Sequence, residues 1–298
     1  MASTDPQPRP MSCHLPAVLA GVAGILLAAS GCARTREGSH LQAWGMEYRL
    51  RKACMPRPNH LHILRADLAT GNIQPAVVLA ADPDADGPAE AALTHPLQLA
   101  QDPAVLAFIN TNPWDSFADA DSKKDRSWFE GQPVEILGLA ASGGQMRSLP
   151  QSGPASIWFG GRERVFMGEC PAGLQVAEGL AGFQPIVRDG AVVAAPGGPI
   201  HPRTAMGVDP TGSVLWLVVV DGRQAGTSEG MTLRELGRVM RRLGCWNAIN
   251  MDGGGSSVMG LADTDGRLRI VNRPSDRRSG VPRIRPLPAI LTLRRAAP

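Results

Sequence analysis

The densest run of chemically capable residues is Asp252-Gly253-Gly254-Gly255-Ser256-Ser257. A carboxylate can move a proton or attack carbon. Consecutive glycines let the backbone approach a ligand closely or turn successive N–H groups toward an anion. The paired serines add hydroxyl donors. A simple turn needs one or two glycines, so an ordinary turn explains this run less well than a ligand loop. A second carboxylate, Asp221, opens Asp221-Gly222-Arg223. Arg203 and Arg223 suit bidentate contact with phosphate or carboxylate, although a single arginine is more often a surface or salt-bridging residue. His201 can act as acid or base, but a histidine before proline is more often structural. Asn110 ends an apolar run and suits orienting a hydroxyl or capping a turn. Ser228 in GTSEGMTL either binds substrate or stabilises its loop. Two carboxylates, a glycine loop and arginines fit hydrolysis of a sugar–phosphate linkage. One carboxylate would serve as acid or base and the other as nucleophile or base, with arginine and N–H groups on the phosphate.

These residues must be positioned by regular elements. Val214 to Val220 (VLWLVVV) is a continuous apolar run, the pattern of a strand buried on both faces, and it stops at Asp221. Thr232-Leu233-Arg234-Glu235 has the form of a capping box, and Leu233, Leu236, Val239, Met240 and Leu243 recur at helical spacing until Gly244. Trp246 to Met251 reads as a second strand, stopping at Asp252. Strand 214–220, helix 232–243 and strand 246–251 therefore predict a βαβ unit with parallel, neighbouring strands. Neighbouring strands in similar register would bring Asp221 and Asp252 to one crevice at their carboxyl ends, where such sheets bind ligands. Upstream, short strands are expected at 60–68, 105–109, 134–140, 155–159, 163–167 and 204–208, with a hairpin over 183–194 turning at Asp189-Gly190. The expected fold is α+β: a β-rich single domain whose mixed sheet contains the βαβ unit.

The chain has 298 residues, 43% of them hydrophobic, with 34 glycines and 26 prolines, enough for a substantial aliphatic core joined by many turns. That excludes a disordered or fibrous protein. A formal net charge of +3 gives no argument for nucleic acid, and none is expected as a partner. From Thr264 onward there are nine arginines against Asp265 and Asp276, either a solvated basic face or one that favours anionic substrates or envelope polymers. The uncharged run Ala17 to Ala29 is too short to span a bilayer and suits a signal peptide. Ala29-Ser30-Gly31-Cys32 after it resembles a bacterial lipobox. The expectation is a lipoprotein-type signal over 1–31, lipidation at Cys32 with a membrane anchor through it, a linker over 32–58, and a periplasmic or cell-surface location. Of five cysteines, Cys54 with Cys170 is the pairing to test. Cys245 suits a core. No CxxC or HExxH is present, so no metal and no cofactor are expected; activity insensitive to a chelator is the check.

The segments HPRTAMGVD, VVVDGRQAGTSEGMTL, LGCWNAINMDGGGSSVM and VNRPSD, in this order and spacing, resemble the phosphodiester glycosidase family, across about 59–293. The resemblance implies one domain that hydrolyses a glycosyl-1-phosphodiester between sugar and phosphate. Carried over by position, it implies site residues Arg203, Thr204, Asp221, Arg223, Ser228, Asp252, Gly253, Gly254, Gly255, Ser256, Ser257, Asn272 and Asn110. Asp221 and Asp252 would be the catalytic pair. The sequence departs at 109–114, which reads Ile-Asn-Thr-Asn-Pro-Trp where many members have an Asn-Gly-Gly-Phe-type stretch. The resemblance thus carries the bond type and not the sugar. The expected substrate is a sugar-phosphate or glycan of the cell envelope or exopolysaccharide. The alternatives are a phosphodiesterase that breaks the P–O bond and a non-catalytic polysaccharide-binding envelope protein.

Overall fold

A computed structural model describes residues 39–296 apart from 86 and 154. The expected signal segment and Cys32 lie outside the described residues. The described chain is β-rich with few helices. Its principal sheet has seven strands in the order Met46–Ala53, Asn59–Asp67, Val214–Val220, Arg203–Val208, Asn247–Asn250, Gln184–Arg188, Ala191–Val192. A five-stranded sheet runs Leu268–Ile270, Met259–Ala262, Val105–Asn110, Ala289–Arg295, Ile73–Leu79. A second five-stranded sheet is centred on Ala155–Gly160 and Glu178–Gly182.

The main core lies where these three sheets meet. It draws Leu64, Leu217 and Ile249 from the first, Val77, Ile109 and Leu291 from the second, and Ile157 and Leu180 from the third. The opposite face of the seven-stranded sheet is covered by helix Leu233–Arg242, whose Leu236, Val239 and Met240 pack on Ala205, Val218, Val220 and Ala248. The Val214–Val220 run is therefore apolar throughout because successive side chains enter two different cores. The helix begins as its sequence requires: Thr232 accepts from the Glu235 N–H at 3.3 Å, and Glu235 accepts from the Thr232 N–H at 2.9 Å. Gly244, at φ +97°, follows its end. The hairpin turn at Asp189-Gly190 also forms, both residues having positive φ (+49° and +73°).

Three expectations are corrected. Val214–Val220 and Asn247–Asn250 are not neighbours: Arg203–Val208 lies between them and pairs antiparallel with both. The sheet is thus antiparallel in each of its registered pairs rather than mixed, and the βαβ unit of adjacent strands is replaced by a crossover with a strand inserted. An apolar run reports that a strand is buried and says nothing about which strand its edges bond. Second, the expected linker over 32–58 contributes the edge strand Met46–Ala53, bonded along its length to Asn59–Asp67. Third, Cys54 and Cys170 are free thiols; they follow strands of two different sheets.

Candidate active site

The chain passes from the first sheet to the second through the glycine run: Asn247–Asn250 ends, Asp252 to Ser257 crosses, and Met259–Ala262 begins. The crossing is pinned from both sides. Asn110, at the end of its strand and fully buried, donates through Nδ2 to the Asp252 carbonyl at 2.7 Å. Its Oδ1 accepts from the Thr204 hydroxyl at 2.8 Å and from the Val258 N–H at 3.0 Å. The Asp252 N–H donates to the Thr111 carbonyl and the Met251 N–H to the Thr204 carbonyl. Asn110 and Thr204 thus hold the loop and do not reach the cavity beside it.

The glycines act mainly by staying small. Gly254 is left-handed at φ +63°, and a Cβ there would lie 3.2 Å from an Arg223 guanidinium nitrogen. A Cβ on Gly255 would overlap the Asp276 carboxylate and the Arg285 guanidinium. The N–H groups of Gly254, Ser256 and Ser257 are spent on the Pro202, Gly253 and Gly254 carbonyls. The loop is therefore a saddle over which Arg223 and Arg285 lie closely, more than an N–H cradle for an anion.

A cavity of about 370 Å³ opens on this saddle. Asp252, Gly253, Gly254 and Gly255 form one wall; His201, Arg203, Arg223, Asn250 and Arg285 supply polar groups. Arg203 is buried on Arg203–Val208, with Nε donating to the Met231 carbonyl at 2.9 Å and a terminal nitrogen to the Pro199 carbonyl at 2.7 Å. Among the described residues, neither Arg203 nor Arg223 has a carboxylate in ion-pair range. Burial and the nearby Arg223 charge lower the basicity of Arg203. A guanidinium stays charged even so. The His201 imidazole is held below its ordinary pKa by burial and by both arginines, and its Nδ1 is buried without a partner. The Asn250 Oδ1 is likewise unpartnered.

Asp252 is half-buried, and burial pushes its carboxyl up to about 6. Bonds from the Ser256 hydroxyl and the Gly253 N–H, with the Arg285 charge, oppose that rise; the Asp276 charge adds to it. Arg285 itself is fixed by a two-point pair to Asp276 at 2.7 and 2.8 Å, and it also donates to the Ser256 hydroxyl at 3.3 Å.

Asp221 is not brought to this cavity. It is 1% exposed. Oδ1 accepts from Asn272 Nδ2 at 3.2 Å and from the Arg273 N–H at 3.0 Å, and Oδ2 lies 3.3 Å from His62 Nε2. His62 Nδ1 meets the Tyr48 hydroxyl at 2.8 Å. The buried Ser228 hydroxyl donates to the Asp221 carbonyl at 2.7 Å and accepts from the His60 N–H at 2.9 Å. Asn272 ties this network to the glycine loop, donating also to the Ser257 carbonyl at 3.0 Å. Of the residues expected at the site, Arg203, Arg223, Asp252, Gly253, Gly254 and Gly255 share the cavity. Asn110, Thr204, Ser228, Ser256, Ser257, Asn272 and Asp221 form the framework around it.

The phosphodiester glycosidase family model matches residues 138–293. The chain belongs to the phosphodiester glycosidase family. It is accordingly a hydrolase, of a family whose chemistry is cleavage of glycosyl phosphodiesters. No curated protein matches the sequence. Solved structures share the fold. The catalytic domain of zebrafish N-acetylglucosamine-1-phosphodiester alpha-N-acetylglucosaminidase, auto-inhibited by its pro-peptide, is 20% identical over 84% of this chain and 82% of that one, with a TM-score of 0.58. A hypothetical protein from Synechocystis is 14% identical over 84% of this chain and 62% of that one, at 0.56. A Burkholderia pseudomallei protein described as exported is 16% identical over 79% and 74%, at 0.53.

In this glycosidase, the stretch that departs from the common pattern sits against the site. Thr111 and Asn112 are buried, Thr111 bonding the Asp252 backbone and Asn112 the carbonyls of Leu137 and Leu139. Among the described residues, no group of three or more His, Cys, Asp or Glu side chains is placed to hold a metal ion. The cavity also contains residues that sequence reasoning missed: Asn250, Gln184, Phe183 and Arg285. Asn250 has a local signal, ending its strand two positions before Asp252. Arg285 has none, because its place is set by Asp276.

Proposed function

We propose that this hydrolase cleaves the bond between sugar and phosphate in a glycosyl-1-phosphodiester of cell-envelope or exopolysaccharide material, with Asp252 as the reacting carboxylate. The observation that carries this is one ionisable carboxyl facing two arginines that have no carboxylate of their own, in one cavity. Arg203 and Arg223 supply the charge a phosphate needs. The phosphate leaves as a phosphomonoester, whose second proton has a pKa of about 6, so departure needs no strong general acid. What the reaction requires is help for attack at the anomeric carbon. Ionised Asp252 provides it in one of two ways. It takes the proton of the attacking water, giving the inverted anomer, or it bonds to carbon itself, and water then displaces it with retention. In either case the C–O bond to phosphate breaks, its electron pair leaves on the phosphate oxygen, and water's oxygen ends on the sugar. His201, neutral beside two cations, accepts a hydrogen bond from substrate.

Hydrolysis in oxygen-18 water tests the bond assignment. Label on the sugar is expected; label on the phosphate would establish P–O cleavage instead. Proton NMR of the first-formed sugar tells inversion from retention. For location, the N-terminal apolar run and Cys32 support an exported, lipid-anchored protein. A Cys32→Ala chain is expected in the soluble fraction and the parent chain with membranes; identical fractionation of the two would count against the anchor.

A further inference from the structure

Beside the catalytic cavity lies a second one of about 510 Å³, and Arg285 lines both. Its other walls carry Arg126, Arg277, Arg278 and Arg283. The single carboxylate lining it is Asp276, already held by Arg285 at two points and approached by Arg283 at 3.5 Å. Among the described residues, Arg126, Arg277 and Arg278 have no carboxylate in ion-pair range, and the buried Nε–H of Arg283 has no acceptor. Glu130 appears on the adjoining cavity, which shares Arg278 and Arg283. Arg277 and Arg278 are presented by a small hairpin, paired with Val281–Pro282 and turned at Ser279 and Gly280, both at positive φ. Phe129, 45% exposed, and Trp128 give the cleft an apolar wall; Arg285 lies over the Trp128 ring at 5.8 Å.

The cleft therefore has charge to neutralise and rings to cover, and it shares Arg285 with the Asp252 cavity. A sugar–phosphate repeat offers both in alternation: an anionic group for the guanidinium groups and a C–H face for an aromatic ring. Five arginines against one carboxylate line this cleft, while the chain as a whole is only +3. We propose that Arg126, Arg277, Arg278 and Arg283, with Phe129, bind the next phosphate along an anionic glycan whose scissile linkage occupies the Asp252 cavity. The substrate is then a polymer with phosphate in its repeat rather than a lone glycosyl phosphodiester. This rests on the function proposed above.

The test uses the full chain and two synthetic probes: a glycosyl phosphodiester with one phosphate, and the same unit extended by a second phosphodiester-linked repeat. The parent enzyme is expected to show a KM roughly tenfold lower for the longer probe, the worth of about one good charge-assisted contact. Arg277→Ala/Arg278→Ala is expected to remove that ratio, and added salt to shrink it in the parent. Equal KM values for the two probes in the parent enzyme overturn the proposal, as does a double variant that raises both KM values alike. If neither probe is cleaved, the proposed function fails. Calorimetric binding of the longer probe then still decides the subsite: a roughly tenfold loss in the double variant upholds it, and equal affinity sinks it. A polyuronate competing as well as the phosphate-bearing probe would make the cleft a general polyanion surface and refute the phosphate assignment.

Discussion

Asp221 and Asp252 stand in similar places in the chain, each just past a buried strand of the same sheet, and the fold treats them in opposite ways. Around Asp221 each carboxylate oxygen has a partner, from His62, Asn272 and the Arg273 N–H. Around Asp252 the protein supplies few bonds, much burial and an open side on which Arg203 and Arg223 have no counter-ion. A carboxylate whose acceptors are filled makes a good fastener and a poor reagent. One that is left short of solvation, with its charge poorly satisfied by the protein, keeps the basicity that a reagent needs. The contrast separates residues that build a site from residues that use it, and strand-end position alone did not.

The strongest test of that contrast is Asp252→Asn, expected to lower kcat/KM by about 10³-fold or more, the range for removing an acid–base or nucleophilic group. The same change should raise thermal stability at neutral pH. The carboxyl's folded pKa of about 6 lies above its unfolded value, so between the two the folded state holds more protons. Ionising the group as pH rises through that window therefore costs stability. Asn is neutral and escapes the penalty. A lower melting temperature would show that Asp252 is a fastener too.

Asp221→Asn should do the reverse. The amide has one acceptor oxygen for the three partners of the carboxylate and no charge, which is expected to cost roughly 2–3 kcal/mol, seen as a melting temperature lower by about 5–10 °C, while kcat/KM of the folded fraction changes by less than about tenfold. A loss as large as that of Asp252→Asn, with the melting temperature unchanged, would return Asp221 to the chemistry.

A smaller effect separates Asp252 from its neighbour His201. Because the substrate diester does not titrate near neutrality, kcat/KM should fall about tenfold per pH unit below pH ~6 as Asp252 takes up a proton. His201→Asn is expected to keep that limb; its disappearance in the variant would assign the titration to the imidazole. The smallest expected change is Gly255→Ala. The added methyl meets the Arg285–Asp276 pair, so a loss of about tenfold in kcat/KM is expected as Arg285 shifts, without recovery in added salt. Full activity would mean that Arg285 can move freely and does not shape the cavity.

Much of the site was legible because its loop obeys local rules. Glycines cluster where guanidinium groups must pass close to backbone, and the capping box at Thr232 and the turn at Asp189 are dictated by neighbours a few residues away. The apolar run ending at Asp221 was equally plain. What stayed hidden depended on pairing across the chain. Nothing in Val214–Val220 or Asn247–Asn250 reveals that Arg203–Val208 sits between them, and the expected convergence of the two carboxylates rests on an adjacency that does not exist. The edge strand Met46–Ala53 reads as charged linker because its outward residues, Arg49 and Arg51 among them, are charged and exposed. Arg285 was invisible since its partner Asp276, and not its own neighbours, decides where it points.

The placement of Asn110 has one more consequence. Its amide takes bonds from Thr204 in one sheet and from the entry to Met259–Ala262 in the other while holding the Asp252 backbone. The Asp252 backbone is therefore pinned only where the two sheets dock, and either sheet alone lacks part of the cavity's lining. Activity becomes a report on tertiary closure. On dilution from denaturant, turnover should return later than the far-ultraviolet β signal, so the enzyme remains idle until its architecture is complete.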